Sequence, residues 1–267
     1  MTISHIPTEA FKLRRTSPTE QQLVAARQLA AGEVILREKA IIQVPVGYYV
    51  LSTYVWDLVD MLLSDKERLL QYNRLHLFAS RTLLDAQDQE IEAHLIQKHR
   101  KSRQFVRTLY CSVATNNVGI LDDECLVRAH GVFPWLSRSN HSCEPNTALT
   151  PANWRAGETS LVAKREIRAG EPLTWCYFRE AEFLPQDWET RNYNLVNLYR
   201  FACRCLRCQA ERPAGVPASP EGQVAYLDKL ILENAREIAK TPEGVEKLRA
   251  ESPVNVHRER LFASRNR

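Results

Sequence analysis

The chain has no cysteine before Cys111 and no apolar run long enough to cross a membrane. A spanning helix needs about 20 predominantly apolar residues, so we expect no membrane contact. The stretch Met1 to Phe11 lacks a charged start followed by an apolar run, so we expect no secretory leader. An odd number of cysteines without a leader favours free thiols in a reducing compartment, either cytoplasm or nucleus.

The composition is ordinary for a globular protein, with 44% hydrophobic and 25% charged residues in a chain of 267. This balance is sufficient for a sizeable apolar core. The net charge of +4 is mildly basic. It permits an acidic partner without requiring nucleic acid, and we expect no direct nucleic-acid binding.

Apolar periodicity predicts a mixed architecture. Short β-branched runs within residues 34–36 and 41–44 predict strands, as do the stretches 159–167 and 172–178. Apolar residues at helical spacing between residues 55 and 113 instead predict helices. The sequence therefore indicates an α+β fold in which a helical block is inserted between two β-rich parts.

The remaining segments give weaker signals. Residues 1–18 are polar and are expected to be loosely held. Ser64, with Glu67 three residues later, has the spacing of a helix capping box. Residues 187–201 are predicted to be helical, and an amphipathic helix is predicted after the proline-rich linker 212–220.

The cysteine spacing is typical of a metal site. Cys203, Cys205 and Cys208 form a C-x-C-x-x-C run, and Cys143 lies sixty residues earlier in a polar loop. Zinc prefers four soft ligands in a tetrahedron, and such a run supplies three thiolates from one turn. The pattern predicts a zinc ion that fastens the C-terminal segment to the centre of the fold. The other cysteines are expected to be small buried residues: Cys111, Cys125 and Cys176.

The polar loop 140–146 has two interpretations. Within seven residues it contains two amides, an imidazole, a hydroxyl, a thiol and a proline. Such a loop can bind a polar ligand, or it can be a turn whose side chains satisfy buried backbone groups. Composition alone favours the turn and does not decide between them.

Three ordered motifs resemble those of SET-domain methyltransferases. The loop 140–146 reads N-H-S-C-E-P-N, and we call it the signature loop. It is followed by G-E-P-L-T-W-C-Y at 170–177 and by F-A-C-R-C-L-R-C at 201–208. The stretches 31–38 and 131–138 fit the same family, especially the SET and MYND type and its fungal members that lack the MYND finger.

The resemblance implies a SET fold of several small β-sheets, with a near-knotted C-terminal segment, a helical insertion and a zinc-bound post-SET tail. It suggests the following division: 1–47, N-terminal SET portion; 48–117, helical insertion; 118–180, C-terminal SET portion; 181–211, post-SET zinc segment; 212–267, linker and C-terminal helix. Zinc would be bound by Cys143, Cys203, Cys205 and Cys208.

The same resemblance implies S-adenosylmethionine as cofactor. Asn140 and His141 would hold it, Ser137 would line the same wall, and Phe201 would pack against its adenine. Tyr177 would be the catalytic residue that orients a lysine amine for methyl transfer, most simply a lysine of a protein substrate.

The sequence departs from the family at its first cofactor-binding element, a G-x-G turn. The alignment puts this turn at Glu20, Gln21 and Gln22, so both glycines are absent. Glycine lets the backbone approach a ligand closely and adopt positive φ, which glutamine disfavours. Two alternatives therefore stand beside methyl transfer to protein lysine: a SET-like fold acting on a small molecule, and a non-catalytic SET-like interaction protein.

Overall fold

The computed structural model describes residues 9–16, 21–46, 53–75, 86–238 and 240–241. The polar tail after residue 241 and the predicted turn position Glu20 lie outside this part. Contacts divide the described chain into two compact units, the first ending at Tyr177 and the second beginning at Phe178. The five-segment division stays a prediction.

The first unit contains ten short strands and four α-helices among its described residues. The strands are β1 (Phe11–Arg15), β2 (Gln21–Ala25), β3 (Val34–Lys39), β4 (Ile42–Pro45), β5 (Asn117–Leu121), β6 (Val127–Val132), β7 (Asn140–His141), β8 (Thr147–Pro151), β9 (Glu158–Ala163) and β10 (Thr174–Trp175). The helices are α1 (Tyr54–Ser64), α2 (Lys66–Asn73), α3 (Ala86–His99) and α4 (Arg103–Asn116).

The strands form four small sheets. Three are antiparallel, with the orders β1-β2, β3-β9-β8 and β4-β6-β5. In the fourth, β7 and β10 pair in parallel. Several small sheets together with helices confirm the predicted α+β class. The near-knotted path of the C-terminal segment stays a prediction.

The helical block forms where the apolar periodicity predicts it. In α1 the buried residues include Val55, Leu58, Val59 and Leu62, which repeat at helical spacing. They belong to an apolar core that also contains residues of α4, such as Val106. A second core lies among the strands, and its buried residues include Leu23, Ile35, Phe133 and Leu173.

Two local predictions are wrong. Residues 11–15 are not loosely held, because β1 pairs with β2 over five residues through its backbone while most of its side chains are exposed. Ser64 is the last residue of α1 and caps no helix. Asp65 caps α2 instead, accepting hydrogen bonds from the backbone N–H groups of Glu67 and Arg68, each at 3.0 Å.

The second unit is helical in its described residues. Its helices are α5 (Glu180–Phe183), α6 (Trp188–Tyr199), α7 (Leu206–Glu211) and α8 (Pro220–Ile238). The predictions for 187–201 and for the C-terminal helix are confirmed. Asp187 begins α6 by accepting a 2.7 Å bond from the N–H of Thr190. No helix in the described residues is long and apolar enough to span a membrane.

Candidate functional site

The signature loop lies beside the strand that leads to Tyr177. In the parallel ladder, Thr174 pairs with Asn140 and Trp175 pairs with His141. The backbone N–H of Ser142 then donates to the carbonyl oxygen of Trp175 at 3.1 Å. Two motifs separated by thirty-odd residues in the sequence are therefore neighbours in the fold.

Asn146, the last residue of the signature loop, fastens the strand β10 to the loop. Its buried amide group donates to the carbonyl oxygen of Pro172 at 2.8 Å and to Oε1 of Glu171 at 3.0 Å. Its Oδ1 accepts from the backbone N–H of Thr174 at 2.9 Å. Asn146 therefore agrees with the interpretation of the polar loop as a turn whose side chains satisfy buried backbone groups. Such groups destabilise the fold when they are buried without a hydrogen-bond partner.

Tyr177 is held at both its backbone and its hydroxyl. Its N–H donates to Nδ1 of His141 at 3.1 Å, and its hydroxyl donates to the carbonyl oxygen of Ser139 at 3.2 Å. The rings of Tyr177 and His141 meet edge to face, with centroids 5.3 Å apart. Burial of the phenol raises the pKa of Tyr177 above its ordinary value, so the hydroxyl keeps its proton and can donate.

The predicted metal ligands come together. The Sγ atoms of Cys143, Cys203, Cys205 and Cys208 all lie within 4.8 Å of one another. Sulfur ligands about 2.3 Å from a tetrahedral zinc ion are separated from each other by roughly 3.8 Å. Four thiols that lie within 4.8 Å of one another are close enough to hold a tetrahedral metal ion. The donor set fits zinc, and the identity of the ion stays a prediction.

Polar groups of the second unit surround the C-x-C-x-x-C thiols. The N–H of Cys208 donates to Sγ of Cys205 at 3.5 Å, and the N–H of Cys203 donates to Oδ1 of Asn192 at 2.6 Å. Sγ of Cys208 accepts from Asn192 at 3.8 Å and from the fully buried guanidinium of Arg191 at 3.7 Å. The three donors that reach sulfur would stabilise a thiolate there, as partners behind metal ligands commonly do.

The cysteines outside this cluster differ in exposure. Cys111 and Cys176 are buried, as expected. The prediction that Cys125 is buried is wrong. It is exposed and has a φ of 58°, because it lies in the turn between β5 and β6.

The structure gives the predicted cofactor-binding residues different surroundings. Asn140 is exposed, and Phe201 is half-buried with its ring centroid 6.3 Å from that of Tyr199. The hydroxyl of Ser137 donates to the carbonyl oxygen of Asn116 at 2.9 Å. Both ring nitrogens of His141 contact protein atoms. The role of these residues in cofactor binding stays a prediction.

The positions aligned with the glycine turn are extended. Gln21 and Gln22 belong to β2 and pair with Arg15 and Arg14 of β1. The side-chain oxygen of Gln21 accepts a hydrogen bond from the guanidinium of Arg138. These two residues therefore form no turn: the middle position, Gln21, is bonded to Arg138, and Gln22, which stands where the second glycine would, is part of the β1-β2 ladder.

Glu38 is a site residue that sequence reasoning missed. Its buried carboxylate on β3 accepts from the backbone N–H groups of Trp135 and Leu136, each at 2.9 Å, and so holds the turn before the signature loop. Burial raises the pKa of Glu38 to about 7. The two N–H groups and the cation of Arg138 act in the opposite direction and lower this pKa, but burial has the larger effect. The only sequence signal is an acidic residue within a strand.

We predict that Asn146→Asp destabilises the fold. The substitution removes the amide donor and places a carboxylate beside that of Glu171, so the free energy of unfolding should fall by about 2–4 kcal/mol. Denaturant unfolding near neutral pH measures it. Asn153→Asp is the matched control, because Asn153 is exposed and only its oxygen caps a turn. Equal losses in the two variants would contradict the prediction.

Glu38 predicts a specific pH dependence. Its folded-state pKa lies above the ordinary value of 4.5, so the folded protein binds this proton more tightly than the unfolded chain does. The resulting stabilisation is complete below the ordinary pKa and is lost as pH rises through the folded pKa. From about pH 5 to about pH 8 the wild type should lose about 2 kcal/mol relative to Glu38→Gln.

Denaturant unfolding of the wild type and of Glu38→Gln across this pH range isolates the contribution of Glu38 to stability, because the two proteins share every other titrating group. Glu144→Gln is the control, since Glu144 is an exposed carboxylate of the signature loop, and it should follow the wild type. Parallel curves for wild type and Glu38→Gln would show that Glu38 does not retain its proton on folding.

A model of the SET domain matches residues 21–178. Histone-lysine N-methyltransferase SMYD3 of Mus musculus is 34% identical over 102 residues, which are 38% of this chain and 22% of that protein. Histone-lysine N-methyltransferase SET5 of Yarrowia lipolytica is 35% identical over 95 residues, 36% of this chain and 19% of that protein. Protein-lysine N-methyltransferase SMYD4 of Mus musculus is 30% identical over 126 residues, 46% of this chain and 15% of that protein.

The chain thus spans about a fifth of the length of the relatives that it matches. The crystal structure of the SET domain of LSMT bound to lysine and AdoHcy covers 67% of this chain and 50% of that one, with 9% identity and a TM-score of 0.42. A superposition this loose adds nothing to the assignment. The SET domain model alone covers more than half of the sequence, from residue 21 to residue 178, and the chain therefore belongs to the SET domain family.

Proposed function

We propose that this chain is a SET-type methyltransferase that uses S-adenosylmethionine to methylate the side-chain amine of lysine in a protein. Family membership supports the type of reaction. The names of three relatives, histone-lysine and protein-lysine N-methyltransferases, support lysine in a protein as the acceptor.

The observation that carries the proposal is the parallel pairing of β7 with β10. It brings Asn140 and His141 beside the strand that ends at Tyr177. Asn140 exposes a side-chain amide, and Tyr177 offers a phenol that keeps its proton. These groups fit a cofactor that has both polar and cationic parts, and Ser137 and Phe201 complete the residues that would hold it.

S-adenosylmethionine, when bound, supplies an electrophilic methyl group on a sulfonium. The chain's own contribution is alignment and exclusion of water, since a methyl transfer needs the amine in line with the methyl group. Tyr177 would orient the amine through a lone pair of its hydroxyl oxygen, while its O–H donates to the carbonyl oxygen of Ser139. A hydroxyl held in this way is preorganised and needs no rearrangement during the reaction.

We predict that Tyr177→Phe lowers the rate of methyl transfer by about 10²–10³-fold, the usual cost of losing one preorganised polar contact. The assay incubates the chain with methyl-labelled S-adenosylmethionine and a protein extract, then identifies the labelled amino acid after hydrolysis. Lysine that carries the labelled methyl group on its side-chain nitrogen is the expected product. Tyr226→Phe is the control, because it removes the same atom from a hydroxyl bound to Glu189.

The outcomes separate the alternatives. Label in a small molecule but not in protein would overturn the protein substrate. Calorimetry that detects no binding of S-adenosylmethionine would overturn the methyltransferase and favour an interaction protein. An unchanged rate in Tyr177→Phe would remove Tyr177 from catalysis.

We also propose that the four-cysteine cluster binds one zinc ion, which then joins the signature loop to the C-x-C-x-x-C segment through metal–sulfur bonds. The support is the close approach of the four Sγ atoms and the N–H donors to the sulfurs of Cys205 and Cys208. Structural zinc contributes on the order of 10 kcal/mol in small peptides. Thiolates that bind zinc must stay reduced, which supports action in cytoplasm or nucleus.

We predict that the wild-type chain binds one zinc ion and that Cys203→Ser weakens this binding. Elemental analysis gives the stoichiometry. Competition with a chelator gives the affinity, and cobalt substitution reports thiolate ligation through its absorption bands. Cys125→Ser is the matched control, since Cys125 is exposed and outside the cluster. Equal affinity in wild type and Cys203→Ser would overturn the site.

A further inference from the structure

His141 contacts both the metal cluster and the Tyr177 strand. Its Nε2 lies 3.3 Å from Sγ of Cys143, and its Nδ1 lies 3.1 Å from the backbone nitrogen of Tyr177. The side chain is buried, so these contacts are made away from bulk water. One imidazole therefore connects a thiol of the metal cluster to the backbone of Tyr177.

The hydrogen bonds determine where the ring carries its proton. A backbone N–H can only donate, so Nδ1 must accept from Tyr177 and has no proton. In the neutral ring the proton is then on Nε2, which faces Sγ of Cys143. His141 consequently donates to sulfur and accepts from the Tyr177 backbone at the same time.

The strength of the contact with sulfur depends on the state of Cys143. A metal-bound sulfur is a thiolate, and hydrogen bonds to ionised acceptors are roughly twice as strong as neutral ones. A thiol, which carries its own proton, is a weak acceptor. Metal binding should therefore strengthen the Nε2–H···Sγ bond and fix the orientation of the ring, as partners of metal ligands do.

The orientation of the ring matters because the ladder beside it is short. The backbone pairing of β10 with β7 ends at Trp175, two residues before Tyr177. Beyond that point the N–H of Tyr177 is bonded to the ring of His141 rather than to a strand. A rotation of the ring would release this N–H and shift the phenol, whose hydroxyl is bonded to the carbonyl oxygen of Ser139.

We propose that His141 is a positioning residue that couples metal occupancy at Cys143 to the placement of Tyr177. The coupling rests on the proposed metal site and gives the metal a role in the site besides joining two segments. The coupling acts through the side chain of His141, whose two ring nitrogens are hydrogen-bonded to protein atoms.

The first test is the tautomer of His141. The zinc-loaded chain is labelled with ¹⁵N-histidine, and the ring signals of His141 are assigned by their absence in His141→Asn. We expect the proton on Nε2. A proton on Nδ1 would overturn the proposal, because neither hydrogen bond could then exist as described.

The second test follows the backbone amide of Tyr177 in chains labelled with ¹⁵N-tyrosine, assigned by its absence in Tyr177→Phe. In wild type this signal should shift when a chelator removes zinc. In His141→Asn the side-chain oxygen replaces Nδ1 and no donor reaches Cys143. Zinc affinity should fall by about 10–100-fold, and the shift on zinc removal should be largely lost.

His141→Gln is the converse variant, because its amide nitrogen replaces Nε2 while the acceptor for Tyr177 is missing. Zinc affinity should stay near the wild-type value, and the Tyr177 amide should be displaced even with zinc bound. A wild-type Tyr177 signal that zinc removal leaves in place, or an equal shift in His141→Asn, would overturn the coupling.

None of these measurements requires S-adenosylmethionine or a substrate. A chain that transfers no methyl group but shows the expected shifts would support the coupling and contradict the proposed function. A chain that transfers methyl groups, but whose Tyr177 amide signal does not respond to zinc removal, would support the proposed function and contradict the coupling. A chain that binds no zinc would overturn the metal site and the coupling together.

Discussion

The parallel ladder between Asn140–His141 and Thr174–Trp175 is the interaction on which the rest of the site depends. Two residue pairs contribute little by themselves, and parallel pairing is the weaker kind. Side chains complete it: the hydroxyl of Ser139 donates to the carbonyl oxygen of Leu173 at 2.9 Å, and that of Thr147 donates to the carbonyl oxygen of Thr174 at 2.8 Å. Polar side chains on both sides of the signature loop therefore serve this pairing.

Two buried charges support the elements that carry the site. Glu38 is bonded to the N–H groups that open the turn before the signature loop. Arg191, on α6, is bonded to Glu211 and to the sulfur of Cys208. A buried charge is costly unless it has partners, and these two have partners at element ends, where backbone or sulfur atoms need them.

Sequence patterns predicted the features that rest on periodicity or spacing. The face of α1 followed from Val55, Leu58 and Leu62, and the grouping of four cysteines followed from a metal-like spacing. Features that rest on long-range partners were missed. β1 is polar and is recognisable only through its pairing with β2. The sequence around Glu38 does not distinguish it from an exposed acid, because its partners, the N–H groups of Trp135 and Leu136, are almost a hundred residues away in the chain. Ser64 and Asp65 are both good capping residues, and which of them caps α2 depends on the residue at which the helix begins. Local sequence does not fix that residue.

The sheet β4-β6-β5 has a separate apolar core on each of its two faces. Ile42 and Val132 belong to the core shared with α1 and α4, while Ile120 and Ala129 belong to the core among the strands. The helical block thus has packing of its own on one face of this sheet. The end of α4 also reaches the turn before the signature loop, where the carbonyl oxygen of Asn116 accepts from the hydroxyl of Ser137. A substitution inside the helical core is therefore expected to reach the signature loop chiefly through this end of α4.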